Sequence, residues 1–515
     1  MSLRKFLISW LAVVLPLAAW GAELDNRVAR AAMSGDRSAV RALAAGKADV
    51  NAPLADGTTA LDWAVRSGDQ DTADVLIRAG ANVQAADRYG LTPLAIACSN
   101  ADAPMVKRLL DAGADANAAD PNGQTALMVA ARTDGGADVV RLLLERGAAV
   151  NARDKVVDQT ALMLAVRADQ AESVRLLLAG GAEVNARTRT GKTPPRRPPN
   201  AGGGSHGKGI VRGGWPDRGA QDPTPGAMTA LLYAARDGRL EMARMLVMAG
   251  ADVNQPEANK VTPLLIAIAN DHLALANFLL TRGADVNAAD YWGRTPLWTA
   301  LDIRDLDYDR SGEQHSDRAA ALEMMQTLLN RGAHVNARIA EVPPIRRWIL
   351  PISDISWVDF TGQTPFLRAA LAGDITVMRL LLEHGADPNI PTFSNTTALM
   401  AAAGVNWSVG QTYTESKEGW MEAVKLCLEK GADVNTVNTM GFTALTGAVN
   451  RGSDEIVQFL VDHGAKMDVT DNEGRTLRDW AEGVFLATVP PQRKPTTIAL
   501  LEKLAAEHAG SGKAQ

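Results

Sequence analysis

Apolar positions along this chain alternate between two patterns. The first is a short Ala-rich run, such as Leu94-Ala95-Ile96-Ala97-Cys98 or Leu127-Met128-Val129-Ala130-Ala131. The second sets leucine and valine at helical spacing, as in Val139-Val140-Arg141-Leu142-Leu143-Leu144. Neither run is long enough to be a stable helix alone, so each must be held by packing. Threonine stands directly before the first run at Thr59, Thr92, Thr125, Thr160, Thr229, Thr262, Thr295, Thr364 and Thr443. There its hydroxyl can accept a free backbone N–H at a helix start. Proline follows at Pro93, Pro263, Pro296 and Pro365, in the first turn, where it costs least. Glycine closes the second run, for example at Gly80, Gly113, Gly147, Gly250, Gly283 and Gly464. The pattern predicts pairs of short antiparallel helices joined by tight hairpin-like loops.

These pairs repeat with a period of about 33 residues, and about twelve fit the chain. Units start at Asp56, Asp87, Asp120, Asp154, Glu257, Asp290, Phe360, Asn395 and Asn438. Leu24 to Pro53 is a degenerate first unit, and the stretch from Asp471 a degenerate last one. The expected fold class is an all-α repeat solenoid of helix–turn–helix units with β-hairpin-like loops. The period and the recurring Thr-Pro-Leu and Gly-Ala-Asp-Val-Asn stretches resemble the ankyrin repeat over roughly residues 24–510. One departure is consistent. The family's His after Thr-Pro-Leu is replaced by Ala95, Met128, Met163, Leu265, Trp298 or Leu367, which removes a side chain that commonly supports bonding between units.

The resemblance implies a curved array with one concave face, lined by hairpin tips and the ends of the short helices, where family members contact protein partners. The tips here carry Arg88-Tyr89, Pro121-Asn122 and Tyr291-Trp292. Arg66, Arg132, Arg167 and Arg236 occupy equivalent positions near the ends of four first helices. Arginine beside Tyr89, Tyr291 and Trp292 has the composition of a binding hot spot. A solvated polar face is the plainer alternative, because arginine is common there in any case.

Insertions interrupt the array. An N-terminal block of repeats spans 23–187, and residues 188–227 then insert into a hairpin. The stretch is rich in Gly, Pro and Arg, and reads as a loop. Gly202-xxxx-Gly207-Lys208 within it imitates a phosphate loop, but Gly209 stands where Ser or Thr should be, and neither a strand nor a helix flanks it. Repeats resume over 228–338, with a lengthened turn between helices near 302–317. Residues 339–359 form an aromatic insertion containing Trp348 and Trp357. Repeats continue over 360–470, with an insertion near 404–418. A degenerate cap fills 471–510, and 511–515 is a tail.

Composition narrows the function classes. The 515 residues are 46% hydrophobic and 22% charged, with a formal net charge of -6. That balance argues against coating nucleic acid. Only the 187–218 segment is strongly basic, with eight Lys or Arg against one acid, Asp217. It could meet an anionic glycan or lipid surface, and Trp215 within it is a candidate contact. The first residues read as an export signal over 1–22. Arg4 and Lys5 precede the apolar run from Phe6 to Ala19; Ala19 and Gly21 supply small residues for cleavage after Gly21, and Ala22 is the next candidate although it puts Trp20 at -3. The expected location is therefore the periplasm or the extracellular space. No other segment reads as a membrane span.

Nothing in the sequence carries catalytic chemistry. The histidines lie at helix starts, at helix ends or in loops, and no metal-ligand or nucleophile spacing occurs. Cys98 and Cys427 sit on apolar faces, where an inert thiol is expected. No cofactor or metal is expected. The reading that follows is a non-catalytic exported scaffold that binds another protein, with an envelope-surface binder acting through the 187–218 loop as the alternative. An enzyme built on the aromatic insertions is a third, weaker reading.

Overall fold

The computed structural model describes residues 25–190, 226–306, 317–340, 361–405, 417–484 and 491–511. The expected leader, nearly all of the 188–227 and 339–359 insertions, most of 404–418, and the tail beyond 511 lie outside these residues, as do Trp215, Trp348 and Trp357. The chain divides into two compact units, Met1–Val156 with Ala179–Gly181, and Val157–Leu178 with Ala182–Gln515.

The first unit holds four helix pairs: α1 (Arg27–Met33) with α2 (Arg37–Ala45), α3 (Ala60–Arg66) with α4 (Gln70–Arg78), α5 (Pro93–Ser99) with α6 (Ala103–Asp111), and α7 (Ala126–Arg132) with α8 (Ala137–Glu145). The second unit continues the pattern. It begins with α9 (Ala161–Arg167) and all but the last residue of α10 (Ala171–Ala179), followed by α11 (Ala230–Arg236) with α12 (Leu240–Met248) and α13 (Pro263–Ala269) with α14 (Leu273–Thr281). Next come α15 (Pro296–Leu306) with α16 (Arg318–Asn330) and α17 (Pro365–Ala372) with α18 (Ile375–Glu383). The last pairs are α19 (Ala398–Ala403) with α20 (Lys417–Glu429), α21 (Ala444–Arg451) with α22 (Asp454–Asp462), and α23 (Leu477–Glu482) with α24 (Pro495–Ser511). The described loops form no sheet, only isolated bridges at Ala119–Thr125 and Thr470–Thr476.

Local chemistry accounts for the short first helices. Every one of the nine expected threonines accepts a backbone N–H three residues on, at 3.2–3.4 Å, from Thr92 to Ala95 N through Thr443 to Thr446 N. Alanines such as Ala64, Ala97, Ala130 and Ala131 are buried between successive first helices within the first unit, where a larger side chain would hold the backbones apart. The second helices supply bulk from one recurring position, with Leu76, Leu109 and Leu143 all at 0% exposure.

The bond between units comes from asparagine. Asn117 Nδ2 donates to Gly147 O at 3.2 Å, and its Oδ1 accepts from Ala149 N at 2.7 Å. Gly147 can end its helix with that carbonyl presented because it adopts a φ of 78°. Asn51 makes the same pair with Gly80 O and Asn82 N, and Gln84 stands in with Gly113 O and Asp115 N. In the second unit the ladder runs through Asn185, Asn254, Asn287, Asn336 and Asn435. These side chains link the repeats although the family's histidine is missing.

The hairpins that carry insertions are closed at their base. Thr188 N donates to Met228 O at 3.0 Å, and Ala227 N donates back to Thr188 O at 3.1 Å. Asn185 still reaches Gly250 O at 3.1 Å across the whole inserted stretch. Ile339 N and Gln363 O close the next stem at 3.1 Å. The expected turn insertion at 302–317 differs from the structure: α15 runs on through Leu306, so its first residues are helix. Arg304 from that extension and Arg318 from α16 both reach the buried Asp374 carboxylate, at 2.7 and 3.2 Å. Asp374 also caps α18 by accepting Val377 N. This fixed charge holds the added turn in helical form.

The amide ladder predicts that Asn117→Ala lowers unfolding stability by about 1–2 kcal/mol, two exposed hydrogen bonds being lost together. Asn122→Ala at the neighbouring hairpin tip should change it by less than about 0.5 kcal/mol. Urea unfolding of both variants, followed by circular dichroism, measures the difference.

Candidate functional site

In the first unit, the ends of three first helices and two hairpins enclose a cleft of about 190 Å³. Ala95 and Ile96 of α5 and Val129 of α7 supply apolar walls, together with Leu91. Arg66, the last residue of α3, and Arg132, the last residue of α7, both line it and are both exposed. The Arg66 guanidinium lies 5.5 Å from the Trp63 ring centroid, one helical turn back. Arg132 Nη2 donates to Gln124 Oε1 at 3.1 Å. Asn100 Nδ2 points to the carbonyls of Val65 and Arg66 at 3.3 and 3.4 Å, tying the end of α5 to that of α3. Tyr89 sits at the hairpin tip beside Gly90, a lining residue, and is 70% exposed.

The second unit repeats the theme with a tyrosine at its centre. Tyr233 of α11 is buried, and the guanidiniums of Arg167 and Arg236 lie 5.3 and 5.0 Å from its ring. Gln159 Nε2 donates to the Tyr233 hydroxyl at 3.0 Å. Arg236 is paired with Asp237 at 2.7 Å, whereas Arg167 remains exposed. Tyr291 and Trp292 pack edge to face, with centroids 5.4 Å apart, and Arg294 covers the indole at 5.2 Å. Both aromatics are half-buried. Sequence reading passed over Tyr233 and Trp63. The signal was there: an aromatic three residues before the arginine puts the pair on one helix face.

The titratable groups have structural causes. Burial pushes the thiols of Cys98 and Cys427 up to about 12, so neither is a nucleophile at neutral pH. Arg451 is buried over the Trp420 ring at 4.0 Å and donates to Ala402 O at 2.7 Å; burial brings it down to about 9. Among the described residues, no group of three or more His, Cys, Asp or Glu side chains could hold a metal ion. No helix of these residues is long and apolar enough to cross a membrane.

Glu257 departs from the hairpin acids Asp290 and Asp471. In other hairpins an aspartate accepts the N–H groups two and four residues on, as Asp290 does from Trp292 and Arg294. The second oxygen of Asp290 then pairs with Arg294 Nε at 2.6 Å, and that of Asp471 with Arg475 Nε at 2.6 Å. Glu257 makes the two backbone bonds, to Asn259 N and Val261 N, but valine stands where the arginine would be. Its buried second oxygen has no hydrogen-bond partner. Burial, with Asp290 nearby, pushes the carboxyl up to about 7.

The comparisons agree with this geometry. A model described as ankyrin repeats in three copies matches residues 25–87, 82–154, 214–290, 231–339 and 415–481. A single-repeat model matches 158–189 and 361–393. Together they cover more than half of the chain, which therefore belongs to the ankyrin-repeat family. An ankyrin repeat protein of Acanthamoeba polyphaga mimivirus is 29% identical over 111 residues, 20% of this chain and 19% of that protein. The ankyrin repeat protein YahD of Escherichia coli strain K12 is 32% identical over 130 residues, 24% of this chain and 58% of that one. Protein phosphatase 1 regulatory subunit 12A of Mus musculus is 30% identical over 91 residues, 18% of this chain and 9% of that one. The match thus spans less than two thirds of each relative. Ankyrin repeats are protein-interaction modules, generally without catalytic activity of their own.

Below its ordinary value near 4.5, Glu257 is neutral in both folded and unfolded chains. Between pH 4.5 and about 7 the folded chain keeps a proton that the unfolded chain has lost, so stability falls as pH rises through this window and is level above it. Glu257→Gln should therefore be more stable than the parent at pH 8, on the order of 2 kcal/mol, with the gain vanishing by pH 4.5. Urea titrations at the two pH values measure it.

Proposed function

We propose that this chain is a non-catalytic scaffold that binds another protein along the faces formed by its hairpin tips and first-helix ends. The observation that carries the reading is the cleft between α3, α5 and α7, with exposed guanidiniums at its walls and Tyr89 at its rim. Both are features of a protein contact. We further propose that the chain is exported to the periplasm or the extracellular space, on the strength of residues 1–22. The alternative, an envelope binder working through the basic 187–218 segment, receives less support. Arg187 Nη2 donates to Pro256 O at 2.7 Å, and Arg189 holds Asp158 at 3.0 Å, so two of its charges are used within the fold.

A crosslinking pull-down with the full chain and a variant lacking 192–226 separates these readings. Capture of the same protein by both, with capture by Tyr89→Ala at least about tenfold weaker, supports the scaffold. Capture only by the intact chain, released by salt, would put the function in the inserted segment instead. Cell fractionation locates the chain, and its recovery in the cytosol would sink the export proposal.

A further inference from the structure

The two arginines of the α3–α5–α7 cleft differ from Arg108 and Arg146 of the same unit. On the second helices, Arg108 pairs with Asp74 at 3.2 Å and Arg146 with Asp111 at 2.7 Å. Arg66 and Arg132 enter no ion pair among the described residues. Arg66 has only the Trp63 ring, and Arg132 only a neutral amide. Two cationic forks line one cleft with neither paired to a carboxylate, which leaves donors to solvent or to a ligand.

We propose that this cleft receives the carboxylate side chain of an acidic residue in an extended segment of the partner protein. The inference rests on the scaffold reading above. Three observations choose the occupant. A cleft of about 190 Å³ is smaller than the roughly 300–1,000 Å³ of sites that enclose a whole small molecule, so it suits one side chain. Asp120 also lines it, with its Oδ1 held by Gln124 N at 2.8 Å. Two arginines and one aspartate leave a single positive charge, which matches a carboxylate better than a doubly charged phosphate. Beyond the guanidiniums, Ala95, Ile96 and Val129 offer an apolar surface for the methylenes of glutamate, and Tyr89 stands at the rim for the residue next along the segment.

The test is selection from a displayed library of random 12-residue peptides on the full chain, the Arg66→Gln/Arg132→Gln variant and the control Arg141→Gln. Arg141 is an exposed residue of α8 that pairs with Asp138. A second variant, Ser99→Glu, places a carboxylate in the cleft from α5. Selected peptides are remeasured by fluorescence anisotropy, with Gln or phosphoserine in place of the acid. The parent and the Arg141→Gln control should enrich an acidic position next to an apolar one. Gln substitution, the double Arg variant and Ser99→Glu should each weaken binding at least about tenfold. Melting curves matching the parent would show that the variants are folded. Peptides selected without an acidic position, tighter binding of phosphoserine, or equal binding by the double variant would each overturn the cleft proposal while leaving the scaffold standing. Recovery of no peptide above a heat-denatured control would sink both.

Discussion

A carboxamide that bonds in two directions holds this protein together. Each helix pair presents one apolar side to its neighbour and cannot bury it alone. Small alanines and recurring leucines provide contact but do not by themselves fix the register between pairs. A loop amide does, asparagine at most loops and Gln84 at one. Its N–H donates to the carbonyl of the glycine that ends the next second helix, and its oxygen accepts an N–H two residues beyond, as in Asn117 with Gly147 and Ala149. Both partners are backbone groups left over at a helix end, where the helix cannot satisfy its own last carbonyls. One short side chain thus corrects a deficit that every helix terminus creates, and it does so at a fixed spacing.

This explains what the sequence disclosed and what it kept back. The threonine caps, the closing glycines and the helix pairs were legible, because each depends on residues within a few positions. Thr92 needs only Ala95 N, and Pro93 needs only a first turn. The amide ladder was harder to read, because the partners of Asn51 and Asn185 stand 29 and 65 residues away. The departure at the family's histidine position is legible, whereas the amides that link the units lie in a different part of the repeat. The length of α15 is not legible for a similar reason: Arg304 in its extension pairs with Asp374, a buried charge from the next pair. Of the candidate site, the arginines were found through their equivalent positions, and Tyr89 through its place at a tip. Tyr233 was missed because it stands where most units carry an aliphatic or small residue, and its meaning appears only with Arg167 and Arg236 around it.

The distribution of charge separates framework from surface. Arginines inside the fold are given partners: Arg304 and Arg318 share Asp374, Arg294 has Asp290, and Arg451 lies against an indole. Removing either side of such a buried pair is costly, so these groups are tied to architecture. Those at the ends of α3 and α7 carry the same chemistry without a paired carboxylate. Glu257 shows the converse, an acid that keeps its hairpin role with Val261 where Asp290 and Asp471 have arginine. In a repeat protein each unit is the natural control for the next, and such departures stand out against it.

The closed stems at Thr188–Met228 and Ile339–Gln363 have a consequence for how such a chain can change over time. Because the base of the hairpin is bonded and Asn185 still reaches Gly250, the residues between the two sides of the stem do not set the phase of the array. Closing a longer flexible loop costs little, about 0.6 kcal/mol for each doubling of its length. Such stems are therefore docking ports for genetic novelty. New segments can be gained, lengthened or exchanged there while the packed repeats on either side keep their register.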